Sequence, residues 1–504
     1  MIPGLDMLGL VNKTLVDAAN EIDRQKMAKN QEKSSSAEET QEFEIRKLEI
    51  KGEDFREIYT TLKIKESIFE NFITGEVVIS DTESLIEELG IIGEEEITIE
   101  VGFPEHSNRE PKDIIKIKCH IYKIDNRTRE GIGQSIEEYT IYFCDKIALN
   151  DKLVRVSKTY KKGTISSYVQ KIFKEELQAG EVNVEETQNN FEINIPNLNP
   201  ISAINFLSNF SYKSFNDGGD GEKRLMYLFY QDRKQFNFKS IEEMIKSSKS
   251  VADILFDKSD NFDFVNESQK NVKKDPGIFN TTFQDVYETV QEVFGIAKVD
   301  LKFDVYQAES YEILKPFSNY ESAETGYFGF TNYSSDILSK TLHKIQYKYS
   351  EDFNKMPKLS KVETKTNKYK ISEIPFSTKI YSKPTTKGRL DSKYVEESLG
   401  KQIEHYTETR DPLKNTKKER IFMGPKFKIL LPGNNKIMIG NTVNLKFPSF
   451  KLDDVEKRTR TYEDDEIYSG KYLVFEIEHI FTRFNKWNSF TSCVSDSIKN
   501  HKRG

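Results

Sequence analysis

The chain has 504 residues, with 75 Lys and Arg against 82 Asp and Glu, a net charge of -7, 36% hydrophobic residues and 12% aromatic ones. That length predicts about three to four domains of ~150 residues. The charge balance excludes a global electrostatic pull toward nucleic acid, and no apolar run approaches the ~20 residues of a membrane helix. Three cysteines, Cys119, Cys144 and Cys493, exclude a disulfide framework, and six histidines leave little for a metal centre. Free thiols in strands fit synthesis in a reducing cytoplasm.

Met1 to Leu10 is apolar but lacks the basic start of a secretory signal. Leu5, Leu8, Leu15, Ala18, Ala19 and Ile22 share one helical face, and Gln31 to Gln41 is a Ser/Glu-rich linker. Residues 1–42 are therefore expected to be a helical arm with its linker, either a frayed tail or an arm docking on a neighbouring subunit. From Phe43 to Leu149 the apolar residues alternate, as in Ile97-Thr98-Ile99-Glu100-Val101 and Ile115-Lys116-Ile117-Lys118-Cys119, which predicts half-buried antiparallel strands. Asp81 to Gly90 interrupts them as a short helix that Asp81 or Thr82 can cap and Gly90 can end. Closing such a sheet into a small barrel would remove its edges.

The middle of the chain reads differently. Ile165, Tyr168, Val169, Ile172, Phe173 and Leu177 form one face of a helix from Thr164 to Leu177. A second helix runs through Ala203, Ile204, Phe206, Leu207 and Phe210, followed by strands from Leu225 to Tyr230 and Gln235 to Lys239. A helix from Asp285 to Phe294 and a strand from Val299 to Tyr306 come next. Residues 351–416 are rich in Lys, Thr, Ser and Asp and read as an extended insertion, with a helix at Tyr394 to Tyr406. The remainder is all strands: Phe427 to Leu431, Ile437 to Ile439, Val443 to Phe447, Tyr472 to Arg483 and Ser489 to Val494, with Asp453 to Glu466 as a solvated loop.

The two ends resemble each other. His120-Ile121-Tyr122-Lys123 begins a hairpin returning through Tyr139 to Ile147, and His479-Ile480-Phe481-Thr482 begins one returning through Phe490 to Ile498. Each lies downstream of a glycine and an alternating strand, Gly75 to Ser80 and Gly440 to Leu445. Three subunits carrying two related β-domains each would form a ring of six similar units, able to meet a six-fold partner.

No constellation announces catalysis. Asn216 to Glu222 is oxygen-rich, but its spacing is that of a Gly-rich turn and not of a calcium loop. Gly131-Ile132-Gly133 is no phosphate-binding motif. Cys144 and Cys493 serve as small buried hydrophobes, and His120 and His479 are expected at matching structural places in the hairpins. His106, His343, His405 and His501 lack metal-ligand spacing. Lys414 to Arg420 lacks interleaved aromatics and reads as a solvated face. No catalytic, metal or cofactor residue is assigned.

The C-terminal residues are more specific. Phe427 to Leu431, Pro432-Gly433-Asn434-Asn435, Ile439-Gly440-Asn441-Thr442-Val443, then Ser469-Gly470-Lys471-Tyr472-Leu473-Val474 and His479 give an order that resembles the baseplate hub proteins of contractile-tailed bacteriophages of the T-even type, related to the hub part of type VI secretion spikes. Phe69 to Thr82 with Leu85, Leu89 and Gly90 looks like the first barrel of such hubs, and Asn197 to Ile204 with Tyr227 to Tyr230 is similar to their middle domain. On this resemblance Gly75, Gly433, Gly440, Gly470, Tyr472 and His479 are the family-motif structural positions.

The expected fold class is α+β and predominantly β: two related small β-barrel domains flanking a central α+β region, with an N-terminal helical arm. The barrels span 43–150 and 427–504, the second completed by strands from 337–350, with the central region at 151–322 and a connecting segment at 323–426. The resemblance implies a homotrimer and no enzyme. It implies as partners a central spike protein, a tail-tube or tube-initiator protein, the C-terminus of a tape-measure protein and baseplate wedge proteins. Its place would be the virion tail baseplate, after synthesis in the host bacterial cytoplasm. A tail-associated cell-wall or polysaccharide hydrolase and a peripheral receptor-binding tail module are the alternatives.

Overall fold

The computed structural model describes residues 43–102, 114–129, 136–188, 190–214, 223–247, 252–255, 304–318, 320–321, 329–336, 341–348, 359, 380–385, 424–447, 465, 467–483 and 486–496. The arm at 1–42, Gly131 to Gly133, Asn216 to Glu222, the helices at 285–294 and 394–406, the run 414–420 and most of 351–416 and 453–466 lie outside the described residues. Within them the fold is predominantly β.

The first module comprises β1 (Glu44–Ile50), β2 (Glu53–Asp54), β3 (Tyr59–Ser67), β4 (Thr74–Asp81), α1 (Leu85–Glu88), β5 (Glu96–Gly102), β6 (Ile115–Arg129) and β7 (Glu137–Cys144). Alternation buries Leu62 and Ile64, Val77 and Ile79, Ile97 and Ile99 in one core. A Cβ on Gly75 would lie 2.3 Å from the Phe143 ring and 2.4 Å from the Lys63 carbonyl oxygen, so β4 can cross there only as glycine. The short helix is present, but Ser84 occupies its cap position at φ 62 without a side-chain hydrogen bond. Asp81 instead accepts from the Glu83 N–H at 2.8 Å and from the Tyr139 hydroxyl at 3.1 Å, and Gly90 at φ 56 ends the helix as expected.

The central region contains α2 (Lys146–Leu153), β8 (Val156–Gly163), α3 (Ile165–Lys171), β9 (Val182–Val184), β10 (Phe191–Leu198), α4 (Pro200–Ser208), β11 (Lys213–Ser214), β12 (Lys223–Arg224), β13 (Tyr227–Gln231), β14 (Phe236–Ser240) and α5 (Ile241–Ser247). Thr164 caps α3, whose predicted apolar face is buried, and the helix continues into a π-helical turn at Ile172–Glu176. Asn71, just beyond β3, donates to the Phe229 carbonyl at 2.7 Å, and Gln231 donates to Asp145 at 2.7 Å, fastening this region to the first module.

The remaining strands are β15 (Ala252–Leu255), β16 (Asp304–Gln307), β17 (Ser310–Lys315), β18 (Gly329–Asp336), β19 (Thr341–Lys348), β20 (Ile380–Thr385), β21 (Lys426–Pro432), β22 (Thr442–Lys446), β23 (Gly470–Thr482) and β24 (Lys486–Val494). Here the sequence-based expectation needs two corrections. Neither end closes into a barrel; β3 pairs with the outer half of β23, and both ends belong to one 14-stranded sheet. That pairing covers the β3 edge, which barrel closure would otherwise have removed. The strand at 341–348 pairs with β18 in a separate three-stranded sheet, and it is β15 and β17 that extend the C-terminal unit.

The duplication itself is present, in a different alignment. The first module has the strand order β3-β4-β7-β6-β5-β1, and the C-terminal module has β17-β21-β24-β23-β22-β15, the same order for strands ranked along the chain. Registers agree residue by residue: Thr74 faces Cys144 as Lys426 faces Val494, and His120 faces Cys144 as Leu473 faces Val494. Ile97 faces Cys119 as Val443 faces Tyr472. The pairing of β1 with β5 is antiparallel, whereas β15 runs parallel to β22. The strand beginning near Gly75 thus corresponds to β21, and the strand after Gly440 corresponds to β5. His120 corresponds to Leu473, so the two histidines are not at matching places. The sequence resemblance sets β6 against β23 and β7 against β24, as the sheet does, but it places His120 opposite His479 instead of Leu473 and sets β4 against β22 instead of β21.

Candidate functional site

Three parts of the chain meet around His479. Glu66 comes from β3, Arg233 from the turn joining β13 to β14, and Trp487 and Ser489 from β24. The turn after β21 supplies Gly433, Asn434 and two backbone carbonyls. Glu66 occupies the same inward parity as Leu62 and Ile64, so the alternation that builds the core also carries a carboxylate into it.

Glu66 and His479 are fully buried, and Arg233 Nε lies 2.8 Å from Glu66 Oε1. Arg233 also donates to the Asn435 carbonyl at 3.1 Å and to the Ile437 carbonyl, tying the central region to both modules through one guanidinium. Burial pushes the Glu66 carboxyl upward, but the Arg233 charge, with a contribution from His479, more than offsets this and holds it below its ordinary 4.5.

The indole N–H of Trp487 donates to His479 Nδ1 at 3.2 Å. An indole can only donate, so Nδ1 is an acceptor and the neutral ring carries its proton on Nε2. That atom faces Glu66 Oε1 at 3.7 Å, too far for a hydrogen bond. Ser489 Oγ lies 2.9 Å from Nδ1 and accepts the Asn434 N–H at 3.2 Å. Burial, the largest influence, holds the His479 pKa below 6.5, and protonation would set an Nδ1–H against the Trp487 N–H.

Ser489, His479 and Glu66 lie in the order of a nucleophile-activating chain, but its second link, His479 to Glu66, is too long for a hydrogen bond. In this protein the chain is sealed: all three residues are at most 1% exposed, and the His479 lone pair is already engaged by Trp487. The arrangement joins three parts of the fold and offers Ser489 no route to a substrate. Among the described residues no group of three or more His, Cys, Asp or Glu is placed to hold a metal ion.

The six positions singled out by the sequence resemblance divide between this junction and the surrounding cores. A Cβ on Gly433 would lie 2.4 Å from the Trp487 ring, so its absence lets the indole lie against the turn. Gly440, at φ +80, donates its N–H to the Val474 carbonyl at 2.8 Å, and a Cβ there would approach the Tyr230 hydroxyl to 3.3 Å. Tyr472 packs edge-on against Phe427 at 5.6 Å and donates to the Tyr468 carbonyl at 2.7 Å. Gly470 opens β23 opposite Leu445, and Gly75 lies in the first module. The three cysteines are buried and free, as expected.

The junction has a defined acid response. In the unfolded chain His479 titrates near 6.5 and Glu66 near 4.5, and both values are lower in the folded state. The unfolded state therefore binds more protons, and stability falls as pH drops through each ordinary value. Urea midpoints are expected to be flat with respect to these groups above 6.5 and to decline below it, first from His479 and then, below 4.5, from Glu66 as well. His479→Gln should flatten the decline between 6.5 and 4.5; an unchanged slope would show that His479 does not carry it.

No family model and no curated protein sequence matches the chain. Among solved structures it is similar to a tail protein from Neisseria meningitidis MC58, at 10% identity and TM-score 0.48, covering 91% of this chain and 98% of that one. It is also similar to the 43 kDa tail protein of prophage MuSo2 from Shewanella oneidensis, at 10% identity and TM-score 0.49, covering 91% and 99%. A third is the E. coli c3393 protein, a component of the type VI secretion system, at 8% identity and TM-score 0.36, covering 91% and 79%.

Proposed function

We propose that this protein is the structural baseplate hub of a contractile phage tail, a trimeric ring of pseudo-six-fold symmetry joining a hexameric tail tube to a trimeric central spike. The observation that carries this reading is the sheet module, repeated with the same strand order and the same residue register at the two ends of the chain. Two like modules per subunit match a six-fold partner on one side, while the subunit count matches a three-fold partner on the other. The motif positions that resemble the hub family support the reading, because Gly433 and His479 lie at the joint between the modules. The tape-measure C-terminus and the baseplate wedge proteins are further partners in this proposal, and the role is non-enzymatic.

Heterologous contacts closing a ring are the symmetry this requires. Full-length protein co-purified with its spike should show, by light scattering, a mass containing three copies of this chain. One copy per spike complex, or release of fragments from cell-wall and capsule preparations by the purified protein, would contradict the proposal.

A further inference from the structure

The joint inside one chain specifies the joint between chains. β23 is a long strand divided by a bulge at Phe475. Its first part pairs with β22, and its outer half, Glu476 to Thr482, receives the edge of β3. β6 begins the same way: Ile115 to His120 pair with β5, a bulge falls at Tyr122, and the strand continues to Arg129 through a second irregularity between Asp125 and Thr128 that β23 lacks. By register Tyr122 is the counterpart of Phe475, and Asp125 of Glu478. Among the described residues no strand lies on the outer half of β6.

The counterpart of β3 is β17, whose strand partner among the described residues is β21. Register equates Leu62 with Tyr311, Ile64 with Ile313 and Lys65 with Lys315. Leu62 and Ile64, docked on β23, are fully buried, whereas Tyr311 and Ile313 are 41% and 45% exposed. Tyr122, on the open side, is 46% exposed, while Phe475 is half-buried against Phe69 at 5.8 Å between ring centroids. Among the described residues no further strand covers the apolar outer edge of β17 or the matching outer half of β6, one from each module.

We infer that β17 of one copy pairs antiparallel with the outer half of β6 in a second copy, repeating the β3–β23 joint. This deepens the hub reading and rests on it. The template sets Lys65 opposite Glu478, and the same step sets Lys315 opposite Asp125 of the neighbouring copy, preserving a lysine against a carboxylate. Lys315 now pairs with Glu321 at 3.3 Å and Asp125 with Lys123, in ion pairs that reach the surface and contribute little.

The test is a Lys315→Cys, Asp125→Cys double variant of the full chain, oxidised within assembled tails. Directly opposed antiparallel residues lie about 4.5–5.5 Å apart at Cα, within disulfide reach, and the native cysteines are buried. A covalent ladder ending at three copies is expected, absent from either single variant and from a Glu312→Cys, Asp125→Cys control in which the register is shifted. If the tails hold a three-copy ring but show no ladder, or the control ladders equally, this strand pairing is wrong and the hub reading stands. If the tails hold no such ring, both fall together.

Discussion

Arg233→Leu is expected to destabilise the junction by about 3–5 kcal/mol, the usual cost of leaving one member of a buried ion pair without the other. Glu66 has no exposure, so its carboxylate would be left without the guanidinium 2.8 Å away. The carbonyls of Asn435 and Ile437 would lose their donor in the same step. Trp487, the sole tryptophan, lies inside the junction, so its emission during urea unfolding reads the effect locally. Adding Glu66→Leu to Arg233→Leu should recover part of the loss, since the stranded charge is then removed. A single variant as stable as the parent would show that the pair does not hold the three parts together.

Trp487→Ala should cost a similar amount, about 3–5 kcal/mol, as expected for emptying a large aromatic site. The indole fills the space over Gly433, packs on Phe481 at 5.1 Å between ring centroids, and supplies the N–H that fixes the His479 tautomer. Trp487→Phe retains most of the volume and loses that hydrogen bond, so its cost should be nearer about 1 kcal/mol. Gly433→Val attacks the same contact from the other side and should cost about 1–3 kcal/mol through overpacking. Thermal unfolding followed by circular dichroism orders the three variants. Equal losses for the alanine and phenylalanine variants would assign the effect to the hydrogen bond and not to packing.

Period-two alternation made the strands legible because each sheet face either enters a core or meets water. Ile97, Ile99, Val443 and Leu445 were readable for that reason. The α3 face was legible from its 3.6-residue spacing. Val156 to Gly163 was not, because its burial is confined to Val156 and Tyr160 and the residues between are polar. Closure into barrels was misjudged because sequence shows an edge without showing what covers it, and here another part of the same chain covers β3.

The junction was only half visible. Gly433, Gly440 and His479 stood out within a recognisable order of motifs. Glu66 carried a signal that went unused, a carboxylate at an inward parity of β3, and Trp487 stood out as the sole tryptophan. Arg233 carried none, since Asp232-Arg233-Lys234 has the composition of any solvated turn. The repeat was legible but out of register along β6 and β23, because His120 and His479 look alike in sequence while only the ladder registers reveal Leu473 as the true counterpart of His120.

The most direct measurement is an end-on image of assembled tails at a resolution that separates sheet modules. Three copies of this chain forming one annulus of six modules on the tail axis, between tube and spike, is the expected result. A chain found at the periphery, or an axial ring in which the N- and C-terminal modules of each copy do not alternate, would contradict it.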